Sequence, residues 1–171
     1  MTFGSFIGNR KVIERLRAKL REDRFPHGLI FAGPKGVGKH TCALMIAKAL
    51  NCLRSTAGQF CDECSSCRKI DAGTHPDVTT VTVEDEASEI KIAQIRRVLE
   101  MLDFKPLEGR SKVFIIDPAD LLNDEASNAL LKGLEEPPEE SFFIASSYEP
   151  LASFILFPAL MRSSTNPTNL S

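Results

Sequence analysis

Apolar positions along this chain follow two periods, and the switches between them predict an alternation of helices and strands. Val12, Ile13, Leu16 and Leu20 recur at helical spacing and predict an amphipathic helix over 11–20, one face packed on a core. Phe25-Pro26-His27-Gly28 breaks that pattern, and Leu29-Ile30-Phe31-Ala32 then reads as a first core strand. The run from Cys42 to Leu50 is helix-forming. Val78-Thr79-Thr80-Val81-Thr82-Val83 is β-branched throughout and predicts a second strand. Ile95, Val98, Leu99 and Leu102 mark one face of a helix, with Arg96 and Arg97 on other faces. A loop follows at 104–109, where Pro106 and Gly109 interrupt the pattern. Val113-Phe114-Ile115-Ile116-Asp117 is a continuous apolar strand ending in a carboxylate, and 128–136 reads as a helix closed by Pro137-Pro138. Phe142 to Ser147 predicts a last core strand with hydroxyls at its end, and the polar stretch 163–171 is expected to fray. Strands alternating with helices in this way give a three-layer α/β fold with a mainly parallel sheet.

Composition changes this picture little. The chain has 171 residues, 43% hydrophobic and 26% charged, which suits one globular domain with a real core. No run reaches the ~18 consecutive apolar residues of a membrane span, and 1–6 lacks the basic and long apolar regions of a signal peptide. A cytoplasmic protein with no membrane partner is the expectation. The net charge of −2 supplies no strong field for nucleic acid, so any DNA contact would depend on a local basic patch or on partner subunits.

Candidate chemistry is concentrated in two places. Between the first strand and its helix lies Gly33-Pro34-Lys35-Gly36-Val37-Gly38-Lys39-His40-Thr41, which matches seven of the eight positions of a phosphate-binding loop. Glycines let backbone N–H groups curl around a phosphate, the helix start adds positive potential, and Lys39 supplies a point charge. The eighth position should carry a hydroxyl for Mg²⁺ but carries His40, an imidazole in place of a hard oxygen donor. Thr41 is one residue late, which rotates its hydroxyl about 100° away. The loop is thus expected to keep a phosphate-binding shape, leaving ATP or ADP binding open, with impaired Mg²⁺ ligation. Asp117, ending a strand expected to lie beside the loop, is the matching candidate for a metal-linked carboxylate. Asp120 reads as a cap of the next helix. Ser146 and Ser147 could sense a phosphate or simply form a turn, and Glu84-Asp85-Glu86 reads as a cation-binding or a solvated turn.

The second concentration is Cys52, Cys61, Cys64 and Cys67, four of the five cysteines within sixteen residues. Such clustering in a cytosolic chain argues for metal rather than disulfides. Four thiolates close a tetrahedral Zn²⁺ shell and leave no open position, so the site would be structural. An iron–sulfur cluster or redox thiols is the rival reading, although no Cys-Pro completes the cluster pattern downstream. Free buried cysteines are the third.

Together these residues resemble the N-terminal AAA+ module of bacterial replicative clamp loaders, over roughly 3–150. The matching stretches are 27–34 before the loop, the cysteine insertion, Thr74-His75-Pro76-Asp77 and 128–138. The resemblance implies an AAA+ phosphate-loop domain over 1–150 with an inserted zinc module at about 52–67. It also implies work with other loader subunits (gamma/tau and delta), the sliding clamp and primed DNA. Two subunit types share the module: gamma/tau motors hydrolyse ATP, and delta-prime subunits often carry degraded motifs. Active members follow the strand Asp with a water-polarising Glu, but Pro118 stands there. His40, Pro118 and the delta-prime-like Ile90-Lys91-Ile92…Ile95-Arg96 place this chain on the delta-prime side, without hydrolysis. An active gamma/tau-type ATPase, or another phosphate-loop or zinc-binding interaction protein, is the alternative. The family's Ser-Arg-Cys motif, whose arginine reaches a neighbour's ATP site, is absent; Arg162 is the nearest arginine-finger candidate, with a plain surface arginine as the other reading. Residues 151–171 read as a divergent or truncated end of the module, with lid and collar domains missing.

Overall fold

A computed structural model of the chain describes residues 10–22, 25–54, 58–84 and 87–148. Helix α1 (Arg10–Arg21) leads to strand β1 (Gly28–Ala32), the glycine loop and helix α2 (Lys39–Asn51). A short helix α3 (Ser65–Asp71) and strand β2 (Val78–Val81) follow, then α4 (Ile92–Leu102) and β3 (Lys112–Ile116). A 3₁₀ turn at Ala119–Leu121, helix α5 (Asp124–Glu135) and strand β4 (Ser141–Ser147) complete the described chain.

The four strands form one parallel sheet in the order β1-β4-β3-β2. Because side chains alternate across a strand, β3 sends successive residues to opposite layers. Val113 and Ile115, with Ile144 of β4, pack against Ile13 and Leu16 of α1 and Met45, Ile46 and Ala49 of α2. Phe114 and Ile116, with Phe143 and Ala145 of β4, meet Ile95 and Val98 of α4 and Ala126, Leu130 and Leu134 of α5. All five β3 residues are buried, which is why Val113–Ile116 reads as an unbroken apolar run rather than as an alternation. Helices cover both sheet faces, giving the expected three layers.

Several boundaries differ from the sequence expectation by a few residues. Helix α5 starts at Asp124, four residues before the expected 128, because Asn123 caps it: its Oδ1 accepts from the Ala126 amide at 2.9 Å. The strand expected over 78–83 stops at Val81. Helix α3 has no counterpart in the sequence reading; at seven residues it shows no apolar stripe, and its N-cap is the Cys64 sulfur, accepting from the Cys67 amide. No helix among the described residues is long and apolar enough to cross a membrane.

Candidate functional site: a glycine loop and a four-thiol cluster

The amide of Gly33 donates to the Ser147 carbonyl at 3.1 Å, extending the β1–β4 pairing one step before the chain turns into the loop. Gly36 and Gly38 have φ of 86° and 88°, the left-handed region in which a side chain would strain the backbone. Helix α2 begins directly afterwards at Lys39. The Lys39 Nζ folds back across the loop, donating to the Gly33 carbonyl at 2.7 Å and the Pro34 carbonyl at 2.9 Å. It also lies 4.5 Å from the centre of the Tyr148 ring, a cation–π contact.

The carboxylate strand does not lie beside the loop as expected. Strand β4 sits between β1 and β3, so Asp117 is two strand spacings away, about 9–10 Å. His40, in the first turn of α2, closes that gap: its Nδ1 is 2.9 Å from Asp117 Oδ2. The other carboxylate oxygen accepts from Ser146 Oγ. Asp120 is not a helix cap either; its oxygens accept from Ser147 Oγ and the Tyr148 amide, each at 2.6 Å. The two strand-end serines are therefore bonded to carboxylates, a pairing with no signal in the linear sequence. Thr41 follows His40 along α2 and is partly buried. Arg162 and all of 151–171 lie outside the described residues, as do Asp85 and Glu86 of the acidic turn.

The four cysteine sulfurs all lie within 4.8 Å of one another, with Cys52 at 3.6 Å from Cys61 and 3.9 Å from Cys64. A tetrahedral shell with Zn–S bonds of about 2.3 Å requires sulfur–sulfur edges of about 3.8 Å. The donor set thus fits one tetrahedral metal ion such as zinc, and the separations are far longer than a disulfide bond. Amides of Cys64 and Cys67 donate to the Cys61 and Cys64 sulfurs at 3.3 and 3.5 Å. Burial pushes against ionisation of Cys64, but amide bonds from Cys67 and Leu53 and the neighbouring thiols outweigh it and bring its pKa down to about 6. At Cys61 the Glu63 and Cys64 amides dominate and also lower the pKa. Both shifts run in the direction a metal ligand needs, whereas burial pushes the Cys52 and Cys67 thiols up.

Polar groups fasten this module to the sheet, and of these only His75 and Asp77 lie in a stretch that the sequence marks, as a likeness. Buried Lys48 of α2 donates to Asp62 at 2.7 Å and Asp71 at 2.6 Å. Burial opposes its charge, but the two carboxylates prevail and raise its pKa. His75 Nδ1 accepts from the Asp77 amide at 3.1 Å, which places its proton on Nε2, 3.1 Å from Ser66 Oγ of α3. Asp77, 3% exposed, accepts from the amides of Leu107, Glu108 and Gly109 at 2.7, 2.8 and 2.7 Å. Asn51 Oδ1 takes the next two amides, Arg110 at 2.9 Å and Ser111 at 3.0 Å. Five successive amides of the α4–β3 connection end on two side chains, one at the end of α2 and one immediately before β2.

Comparison with known proteins adds the family. A family described as "DNA polymerase III, delta subunit" matches residues 8–152. The chain belongs to that family. A DNA polymerase III subunit tau/gamma from Haemophilus influenzae is 37% identical over 149 residues, 87% of this chain and 21% of that protein. A DNA polymerase III subunit delta' from Bacillus subtilis is 36% identical over 140 residues, 82% of this chain and 42% of that protein. The chain therefore spans about a fifth to two-fifths of the length of these relatives. Among solved structures, a DNA polymerase III gamma-subunit-related protein from Thermotoga maritima aligns with a TM-score of 0.54 at 18% identity, covering 88% of this chain and 43% of the other. An arginine-to-alanine variant of Thermotoga maritima RuvB gives 0.52 at 19% identity, covering 95% and 45%. These two likenesses speak to the fold alone, and they agree with the AAA+ architecture expected from the sequence.

Proposed function

We propose that this family member is the phosphate-loop module of a clamp-loader subunit of the delta-prime type, over 1–150, which does not hydrolyse ATP. Acting in the cytoplasm with gamma/tau and delta subunits, it helps place the sliding clamp on primed DNA. The observation that carries this reading is the His40–Asp117 pair at 2.9 Å. The residue expected to present a hydroxyl to Mg²⁺ instead engages the carboxylate expected to help hold that ion. Pro118, next along the chain, offers no carboxylate to activate water. Both losses fall on the hydrolytic step and leave the fold and its surfaces intact. The four thiols hold a structural zinc ion that closes the insertion between α2 and α3.

A second reading, an active ATPase of the gamma/tau type, is favoured by the 37% identity to the tau/gamma relative. Phosphate release by a loader reconstituted with this chain separates the two. On the delta-prime reading, Lys39→Ala in this chain leaves the turnover of the whole assembly unchanged within about twofold, and this chain alone releases no phosphate. Mg²⁺-dependent release by the chain alone, abolished by Lys39→Ala, would overturn that reading.

A further inference from the structure

Helix α1 carries more positive charge than its own stability favours. Lys11, Arg15 and Lys19 are exposed and follow one another at i, i+4 and i+8, so they form one row along the helix. Ile13 and Leu16, on a different face, are buried in the core. Arg17 and Arg21 make a second like-charged pair at i, i+4. Glu14 and Glu22 are the carboxylates of the stretch 10–22, and among the described residues Lys11, Arg15 and Lys19 have no ion-pair partner. Like charges at this spacing repel one another. The helix dipole favours carboxylates in the first turn, and α1 has none there. Nothing within the helix offsets the cost of the row, which points to an anion from outside.

We infer that the row of Lys11, Arg15 and Lys19 docks α1 on the phosphate backbone of duplex DNA, without reading its sequence. From Lys11 to Lys19 the helix rises about 12 Å. Over that length each strand of a duplex presents three to four phosphates, one per about 3.4 Å of axis. Other anionic partners fit less well. The apolar face of α1 is spent on the core, leaving none to lie in a membrane surface. Val12, 38% exposed, is the one exposed large apolar side chain of α1 among the described residues, and the helix carries no aromatic ring. It therefore lacks both the anchors of a protein interface and the stacking platforms of a single-strand groove. The chain's net charge of −2 does not prevent this contact, because salt screens exposed charges beyond about 8 Å at physiological ionic strength. The choice of DNA as the polyanion rests on the reading of the chain as a clamp-loader subunit; the cationic row itself does not.

The test is titration of the full, zinc-loaded chain into a short fluorescent DNA duplex, read by anisotropy from low to physiological salt without nucleotide. Three phosphate contacts give a slope of log affinity against log salt of about −2.7. The triple variant Lys11→Gln, Arg15→Gln, Lys19→Gln is expected to bind at least about tenfold more weakly at low salt, with its slope near zero. A control triple, Arg68→Gln, Lys105→Gln, Lys132→Gln, removes three exposed cations from other parts of the chain for the same change in net charge. Its Kd is expected to stay within about twofold of wild type. Should the first triple fail to fold by circular dichroism, Lys19→Gln alone is expected to make the slope shallower by about 0.9. Several results would overturn the inference: no measurable wild-type binding at low salt, equal losses in the two triples, or a slope that Lys19→Gln leaves unchanged. Tighter binding to polyglutamate of matched charge than to the duplex would do the same, and would assign the row to an acidic protein. Since no readout involves ATP, absent DNA binding sinks this inference alone, whereas phosphate release by the chain sinks the delta-prime reading and leaves the row untouched.

Discussion

Asp77→Asn removes a single negative charge from a nearly isosteric side chain, yet it is expected to cost the fold dearly. The native carboxylate accepts from three consecutive amides, Leu107 on Oδ1 and Glu108 and Gly109 on Oδ2. The asparagine keeps one acceptor for Leu107 and turns an NH₂ group toward the other two N–H donors. Charge-assisted bonds of about 1.5–3 kcal/mol each put the ceiling for three at roughly 5–9 kcal/mol. The loop can recover part of that from water: Leu107 is 80% exposed, so its amide rehydrates readily. Gly109 cannot follow, because its Cα faces Asn51 so closely that a Cβ there would lie 2.3 Å from Asn51 Oδ1. The expected net loss is about 2–4 kcal/mol, a fall of about 1.5 M in the urea midpoint at an m-value of about 2 kcal/mol/M. The assay is urea unfolding at fixed metal loading, followed down in pH. Burial would push the Asp77 carboxyl up, but the Gly109, Leu107 and Glu108 amides outweigh it and hold the pKa below its ordinary value. The folded state therefore binds that proton less readily than the unfolded chain. Its stabilisation is full above the unfolded pKa of about 3.9 and is lost as pH falls through the lower folded value. The gap between wild type and variant should accordingly close at low pH. A midpoint within about 0.3 M of wild type at neutral pH, with unchanged m, would refute the reasoning.

Three further outcomes are expected. Cys64→Ser should reduce bound zinc from one equivalent to near none by elemental analysis and lower Tm, whereas Cys42→Ser, in a thiol outside the cluster whose pKa burial pushes up to about 11, should leave metal content unchanged. Lys48→Met should destabilise by about 1–3 kcal/mol in urea titration, because two carboxylates lose their cation while both retain some solvent. Gly109→Ala should cost about 2 kcal/mol or more by thermal unfolding, since the new methyl meets the Asn51 amide group rather than a yielding side-chain tip.

The layers, the sequence of strands and helices along the chain and the identity of the thiol cluster are legible because each leaves a local signature. β3 announces itself as an unbroken apolar run, α4 as a 3.6-residue stripe, and the cysteines as a spacing. What the sequence does not show is pairing between groups far apart in number. Ser146 with Asp117, Ser147 with Asp120, and Asp77 with 107–109 are separated by 27 to 32 residues. They meet only because β4 inserts between β1 and β3, or because the α4–β3 connection folds over the end of α2. Asp120 misleads for a related reason: a carboxylate just before a helix reads locally as a cap, but Asn123 lies nearer the helix start and Asp120 has tertiary partners. The Thr74–Asp77 stretch stands out in the sequence as a likeness, but its physical reason, two buried polar anchors in four residues, emerges only in three dimensions.

Helix α2 opens on Lys39 of the phosphate loop, and the residue that follows its last one is Cys52 of the thiol centre. Its thirteen residues span about 20 Å. The two chemical ends of the molecule are thus the two ends of one rod. A metal ion gripping the far end would fix the rod's axial position and its rotation. With those set, the direction in which Lys39 and His40 leave the near end is set too. With a metal bound, the thiol module, a full helix length from the glycine loop, would be the footing on which the loop's aim depends.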